Sequence, residues 1–204
     1  MYYNSVSNIT GIISNNAGLY LSISCVYPLI QKLTAPKSFL IVGSIIMKNI
    51  PAAEGTYQVL MEAYPDNSFT TPYNGSVTFN MNQEIFMGVT VVGFDSTKIT
   101  TVLDSCWATP TDNINDTVRW NLITNECPDP MESSVTVLQN GVSTSSRFSF
   151  NMFTFTNSVD SIHLHCQVHL CLLGGNNCAL PCGIKRRRRR AEEFHDTAAI
   201  TMSF

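Results

Sequence analysis

Residues 161–171 read Ser-Ile-His-Leu-His-Cys-Gln-Val-His-Leu-Cys. Successive side chains of a β-strand point to opposite faces. Ile162, Leu164, Cys166, Val168 and Leu170 therefore share one apolar face, and His163, His165 and His169 share the other. The period is two, so the stretch predicts a half-buried strand in which Cys166 bonds inside the fold and Cys171 points outward. Outward from this strand the same pattern recurs between turn-forming Gly, Pro, Asn, Asp and Ser. Leu19, Leu21, Ile23 and Cys25 alternate with Tyr20, Ser22 and Ser24, and Phe39, Ile41, Ile45 and Met47 form a further alternating set. Strands are also expected over 56–64, 76–81, 85–94, 98–103, 118–123, 135–138 and 147–155. Within 147–155 the parity slips, with Phe148, Phe150 and Met152 on one face and Phe153 and Phe155 on the other, as a bulge would produce. No stretch sustains a helical period, and regularly spaced short strands predict an all-β sandwich.

The chain has 204 residues, 44% of them hydrophobic, enough to bury a sizeable core. Charged residues are only 13%, which argues against a disordered chain. Six of the twelve Lys and Arg residues lie in one run, 185–190, leaving a net charge of −6 in 1–184. A surface that grips nucleic acid spreads basic residues over a face, and the folded part has too few for that. Met1-Tyr2-Tyr3-Asn4 lacks the basic start and apolar run of a signal peptide. The longest apolar stretch, 38–47, is too short for a bilayer, which needs about 20 residues.

Other features point to the secretory pathway. Asn8-Ile9-Thr10, Asn74-Gly75-Ser76 and Asn115-Asp116-Thr117 each fit the acceptor pattern for N-linked sugar. Of the seven cysteines, six fall at 106, 127, 166, 171, 178 and 182, and Cys25 stands alone upstream. An even cluster with one outlier predicts a closed set of three bridges plus a residue whose partner is missing. The chain then reads as a piece of a secreted protein. Residues 174–177, Gly-Gly-Asn-Asn, form a tip able to close a small loop between Cys171 and Cys178.

Chemistry-bearing residues are few. His163, His165 and His169 could be combined with these cysteines into a metal site, but zinc needs four converging ligands, and no CxxC pair exists. The expectation is solvent-facing strand histidines, with no metal and no cofactor. No Ser sits in a G-x-S-x-G elbow and no paired carboxylates stand out, so the chain is not expected to be an enzyme. The run Lys185-Arg186-Arg187-Arg188-Arg189-Arg190 allows three readings: a nuclear or heparin-binding patch, a solvated tail, or a furin-type convertase site cut after Arg190. Its place between the last cysteine, Cys182, and the acidic Glu192-Glu193 followed by the apolar-polar stretch 198–204 favours a cleavable connector.

Several separated motifs now carry a resemblance: Cys106-Trp107-Ala108-Thr109-Pro110, Cys127-Pro128, Asn140-Gly141, Arg147-Phe148-Ser149-Phe150 with Phe153, and His165-Cys166-Gln167-Val168-His169-Leu170-Cys171. Together, over 19–204, they resemble the C-terminal half (ZP-C) of a zona pellucida (ZP) module, on the branch that holds uromodulin, zymogen-granule glycoprotein and α-tectorin. The resemblance implies an immunoglobulin-like sandwich over 39–184, bridged Cys106–Cys166, Cys127–Cys182 and Cys171–Cys178. It further implies a remnant of the N-terminal half (ZP-N) over 1–28, to which unpaired Cys25 would belong, and an interdomain linker over 29–38. Residues 185–190, with Arg187, Arg188, Arg189 and Arg190, match the convertase site, and 191–204 match a propeptide.

In that family Phe39, Ile41, Ile45 and Met47 match an internal hydrophobic patch. Ala198, Ile200, Met202 and Phe204 match an external patch that docks as a strand and holds off polymerisation until cleavage. The implied function is an extracellular structural glycoprotein that assembles into filaments or matrix with other ZP-module subunits. Contact with a membrane would come only through a segment outside this sequence. The competing reading is a non-polymerising membrane co-receptor or a binding or decoy protein acting through its glycans at Asn8, Asn74 and Asn115.

Overall fold

The computed structural model describes residues 4–9, 23–28, 30–32, 36–49, 56–80, 82–156, 161–172, 178–179, 182 and 197–204. Every regular element among them is a β-strand. In chain order these are β1 (Asn4–Ile9), β2 (Ile23–Pro28), β3 (Ile30–Lys32), β4 (Lys37–Ile41) and β5 (Ser44–Asn49). Next come β6 (Thr56–Tyr64), β7 (Gly75–Phe79), β8 (Glu84–Val92), β9 (Ile99–Thr109), β10 (Trp120–Thr124) and β11 (Cys127–Pro128). The last are β12 (Thr136–Gln139), β13 (Ser145–Asn151), β14 (Phe153–Phe155), β15 (His163–Leu172) and β16 (Thr197–Ser203). Two five-stranded sheets, β12-β13-β8-β6-β5 and β11-β10-β9-β15-β16, pack as a sandwich, and β1-β2, β3-β14 and β4-β7 form separate pairs.

Alternation sets which residues meet in the core. On β6, Tyr57, Val59, Met61 and Ala63 are buried while the residues between them are partly open. On β13 and β8 the register places Phe148 opposite Met87 and Phe150 opposite Ile85, all of them buried. The facing sheet contributes Leu164, Cys166, Val168 and Leu170 from β15 to the same cluster. Cys106 and Cys166 lie opposite one another on β9 and β15 with Cα atoms 4.2 Å apart, bonded inside the core. In the chain-entropy picture a bridge with this separation of 60 residues contributes about 4 kcal/mol. Cys127–Cys182 and Cys171–Cys178 complete the three bridges.

Asn140-Gly141 has a structural reason. The Leu103 N–H donates to Asn140 Oδ1 at 2.7 Å, and Asn140 Nδ2 donates to the Leu103 carbonyl at 3.1 Å. One amide side chain thus satisfies a backbone stretch of β9 that a neighbouring strand would otherwise serve. Gly141 follows at φ 69°, and a Cβ there would meet the Ala179 nitrogen at 2.6 Å, so the segment beside Cys178 can close only over glycine.

The structure departs from the sequence expectations in four places. The parity slip in 147–155 is a strand break, not a bulge. The chain leaves β8 after Asn151, Met152 N–H bonds the Gln83 carbonyl at 3.0 Å, and β14 pairs with β3 instead. This also places Ile30–Lys32, inside the expected linker, in a strand. The alternating set of Phe39, Ile41, Ile45 and Met47 is split between two strands, and its two halves end on opposite sides of the protein surface: Phe39 and Ile41 are buried, whereas Ile45 and Met47 are 61% and 64% exposed. Finally, the histidines are not all solvent-facing, because His165 is 0% exposed, and Cys171, on the face away from Cys166, is covered as well.

Candidate functional site

The site is the seat of β16. This strand lies at the edge of its sheet and pairs antiparallel with β15 through seven residue pairs, from His163 opposite Ser203 to His169 opposite Thr197. Beyond the strand, Phe204 N–H donates to the Ile162 carbonyl at 2.8 Å and Ile162 N–H donates to the Phe204 carbonyl at 3.1 Å. The other edge of β16 is also engaged. Ser203 forms an antiparallel bridge with Val42, and Lys48 Nζ donates to the Thr197 carbonyl at 2.6 Å. Those two contacts share one antiparallel register, so β16 lies along the seam between β15 of one sheet and the Val42–Lys48 edge of the other.

Its alternation sorts the side chains. Ala198, Ile200, Met202 and Phe204 are each at most 4% exposed and join the core cluster. Burying Ile200, Met202 and Phe204 gives on the order of 5–8 kcal/mol of transfer free energy, an upper figure because the unseated chain also hides some surface. The opposite face is short and hydroxylated, with Thr197, Thr201 and Ser203.

That hydroxylated face meets the β15 histidines. Ser203 Oγ lies 2.8 Å from His163 Nδ1, and Thr201 Oγ1 lies 2.8 Å from His165 Nδ1. His165 Nε2 lies 2.6 Å from Thr109 Oγ1, whose own hydrogen goes to the Thr111 carbonyl at 2.6 Å. A hydroxyl has one hydrogen. Thr109 must therefore accept from Nε2–H, which leaves Nδ1 as an acceptor and makes Thr201 the donor. The His165 ring packs 5.7 Å from Trp107, and Arg119 lies over Trp107 at 4.4 Å. Burial, then the neighbouring His163, holds the His165 imidazole below its ordinary pKa; Arg119 lowers it further, and Asp112 and Asp116 oppose. His163 Nδ1 stands 3.8 Å from Asp112 Oδ1.

Among the described residues no cluster of His, Cys, Asp or Glu has the geometry of a metal site; His169 instead pairs with Asp104 at 2.8 Å. Asn74 and Asn115 are exposed, in the turn before β7 and in the loop before β10. Asn8 lies on β1 and Cys25 on β2, opposite Ser7, and nothing is described of their side chains. The convertase residues Arg187, Arg188, Arg189 and Arg190 lie outside the described residues. Sequence reasoning missed Val42, Lys48, Thr201 and Ser203 as partners in the seat. The short hydroxylated positions of 197–203 were visible, but what they face depends on pairing with a strand across some 27 to 39 intervening residues.

Comparison with known proteins bears on the same region. A family model described as the ZP-C domain of zona pellucida proteins matches residues 53–182. The pancreatic secretory granule membrane major glycoprotein GP2 of Mus musculus is 31% identical over 92% of this chain and 35% of its own length. Alpha-tectorin of Gallus gallus is 30% identical over 96% of this chain and 9% of its own. Uromodulin of Rattus norvegicus is 29% identical over 92% and 29%. The chain thus spans about a third or less of the length of these relatives. It belongs to the zona pellucida family and carries that family's ZP-C domain.

Proposed function

We propose that the chain is an assembly module of a secreted precursor, with β16 as its blocking strand. A furin-type convertase cuts after Arg190, β16 leaves its seam, and the vacated edges accept a strand from another ZP-module subunit. The filament or matrix grows by repetition of that exchange. In strand addition, backbone hydrogen bonds supply affinity and alternating pockets supply register. In this scheme 1–28 belong to a preceding ZP-N half with Cys25 bonded there, and sugar is carried at Asn8, Asn74 and Asn115.

The observation that carries the reading is the double engagement of β16, paired with β15 on one side and bridged to Val42 on the other. Its removal opens the β15 edge and uncovers the Val42–Lys48 segment, and open edges invite pairing with another chain. Few charges oppose such pairing, since charged residues are 13% of the chain. The test is replacement of Arg187, Arg188, Arg189 and Arg190 by Ala. The variant is expected to be secreted and to remain unassembled, and filaments forming at the normal rate from the uncut variant would overturn the proposal.

A further inference from the structure

Neutral His165 accepts a hydrogen bond from the Thr201 hydroxyl of β16, as the Thr109–Thr111 contact requires. A protonated imidazole has no acceptor nitrogen. Protonation at Nδ1 would set two hydrogens against each other and force the Thr201 hydroxyl to turn its hydrogen away from its described acceptor. The ring is fully buried, so the charge would also lose its hydration.

We propose that His165 is an acid-sensitive latch on β16: the neutral ring holds the strand on its seam, and protonation loosens it. The inference rests on the reading of β16 as the displaceable strand and adds the condition under which it lets go.

The surroundings do not rescue the charged ring. From its own strand His163 adds a second group that can become positive, and from the segment before β10 Arg119 adds a fixed positive charge. Asp112 and Asp116 come from that segment too and favour the charged ring, but they do not offset burial, His163 and Arg119. Asp112 lies at His163 Nδ1, and Asp116 takes the Thr111 hydroxyl and the Val118 N–H. Beside His165, β9 places Trp107 and Thr109 and β16 places Thr201, none of them charged, and the β9 carboxylate Asp104 pairs with His169. Among the described residues no carboxylate reaches either nitrogen of His165, and both nitrogens are occupied by hydroxyls.

The sign follows. Once β16 leaves, His165 is released toward the ordinary imidazole value of about 6.5. Seated, it titrates lower. Seating is therefore at full strength above about pH 6.5 and weakens as pH falls through that value toward the seated pKa. Each unit between the two values is a tenfold change in the seated-to-unseated ratio.

Amide hydrogen exchange of the peptide containing 197–204, measured on the intact, uncut chain at about pH 7.5 and about pH 5.5 and corrected for the intrinsic pH dependence of exchange, tests the latch. Wild-type protection should fall, by up to about tenfold, since pH 5.5 lies one unit below the unseated imidazole value of about 6.5. His165→Gln should remove the fall. Thr201→Asp, which gives the imidazolium a carboxylate to donate to, should reverse it and serves if the first variant does not fold. Equal falls in wild type and His165→Gln, a flat wild type, or an unreversed slope in Thr201→Asp would each overturn the proposal. Because the chain is uncut, flat protection would remove the latch and leave the blocking-strand reading standing. Assembly of the uncleavable variant would remove that reading and leave the latch standing.

Discussion

The two apolar stretches of this chain, 39–47 and 198–204, look alike in sequence and behave differently in the fold. On β16 every second residue from Ala198 to Phe204 is buried, and the strand is held along both edges. In 39–47 the chain breaks at Val42 and Gly43, so that Phe39 and Ile41 enter the core on β4 while Leu40, Val42, Ile45 and Met47 are 58–65% exposed. The lesson is that apolar composition does not decide burial; continuity of the strand does. One uninterrupted parity sends a whole set to one face, and a single break hands half of it to solvent.

Mutations can break this comparison in order of size. Replacing Ile200, Met202 and Phe204 together by Ser removes the core face of β16. Each change costs about 3 kcal/mol or more, and the expected outcome is poor secretion or association before cleavage. Size-exclusion of the secreted product checks it, and a well-behaved monomer would contradict it. Ile41→Ala should cost about 2–5 kcal/mol in a denaturant melt, because Ile41 is fully buried. Lys48→Met removes the cation on the Thr197 carbonyl and should cost about 1 kcal/mol, seen as faster exchange near Thr197 with little change near Ser203. Ile45→Ser and Met47→Ser should change folding stability by less than about 0.5 kcal/mol, since these side chains are exposed. If either lowers assembly of the cleaved chain while leaving the melt unchanged, the exposed half of the stretch serves a partner and not the core.

Much of the fold was legible because alternation is local. Ile162 to Leu170, Tyr57 to Ala63 and Ala198 to Phe204 each announce a core face without reference to any partner. What the sequence did not disclose depends on distant pairing. The switch at Met152 is set by β3, more than a hundred residues away. The burial of His165 is set by Thr109, Thr201 and the Trp107 ring, none adjacent in sequence. β9 also runs beyond the expected end at 103, with Cys106-Trp107-Ala108-Thr109 inside the strand. A motif tied to a cysteine there marks the strand centre, opposite Cys166.

The central claim, that withdrawal of β16 permits association, can be tested by preventing the withdrawal. Gln167 and Ala199 face each other across β15 and β16, and the double variant Gln167→Cys/Ala199→Cys would tie the strand in place. After convertase cleavage the locked chain should remain monomeric by light scattering, and adding mild reductant should start assembly. Assembly of the locked, cleaved chain at the rate of the unlocked one would contradict the account.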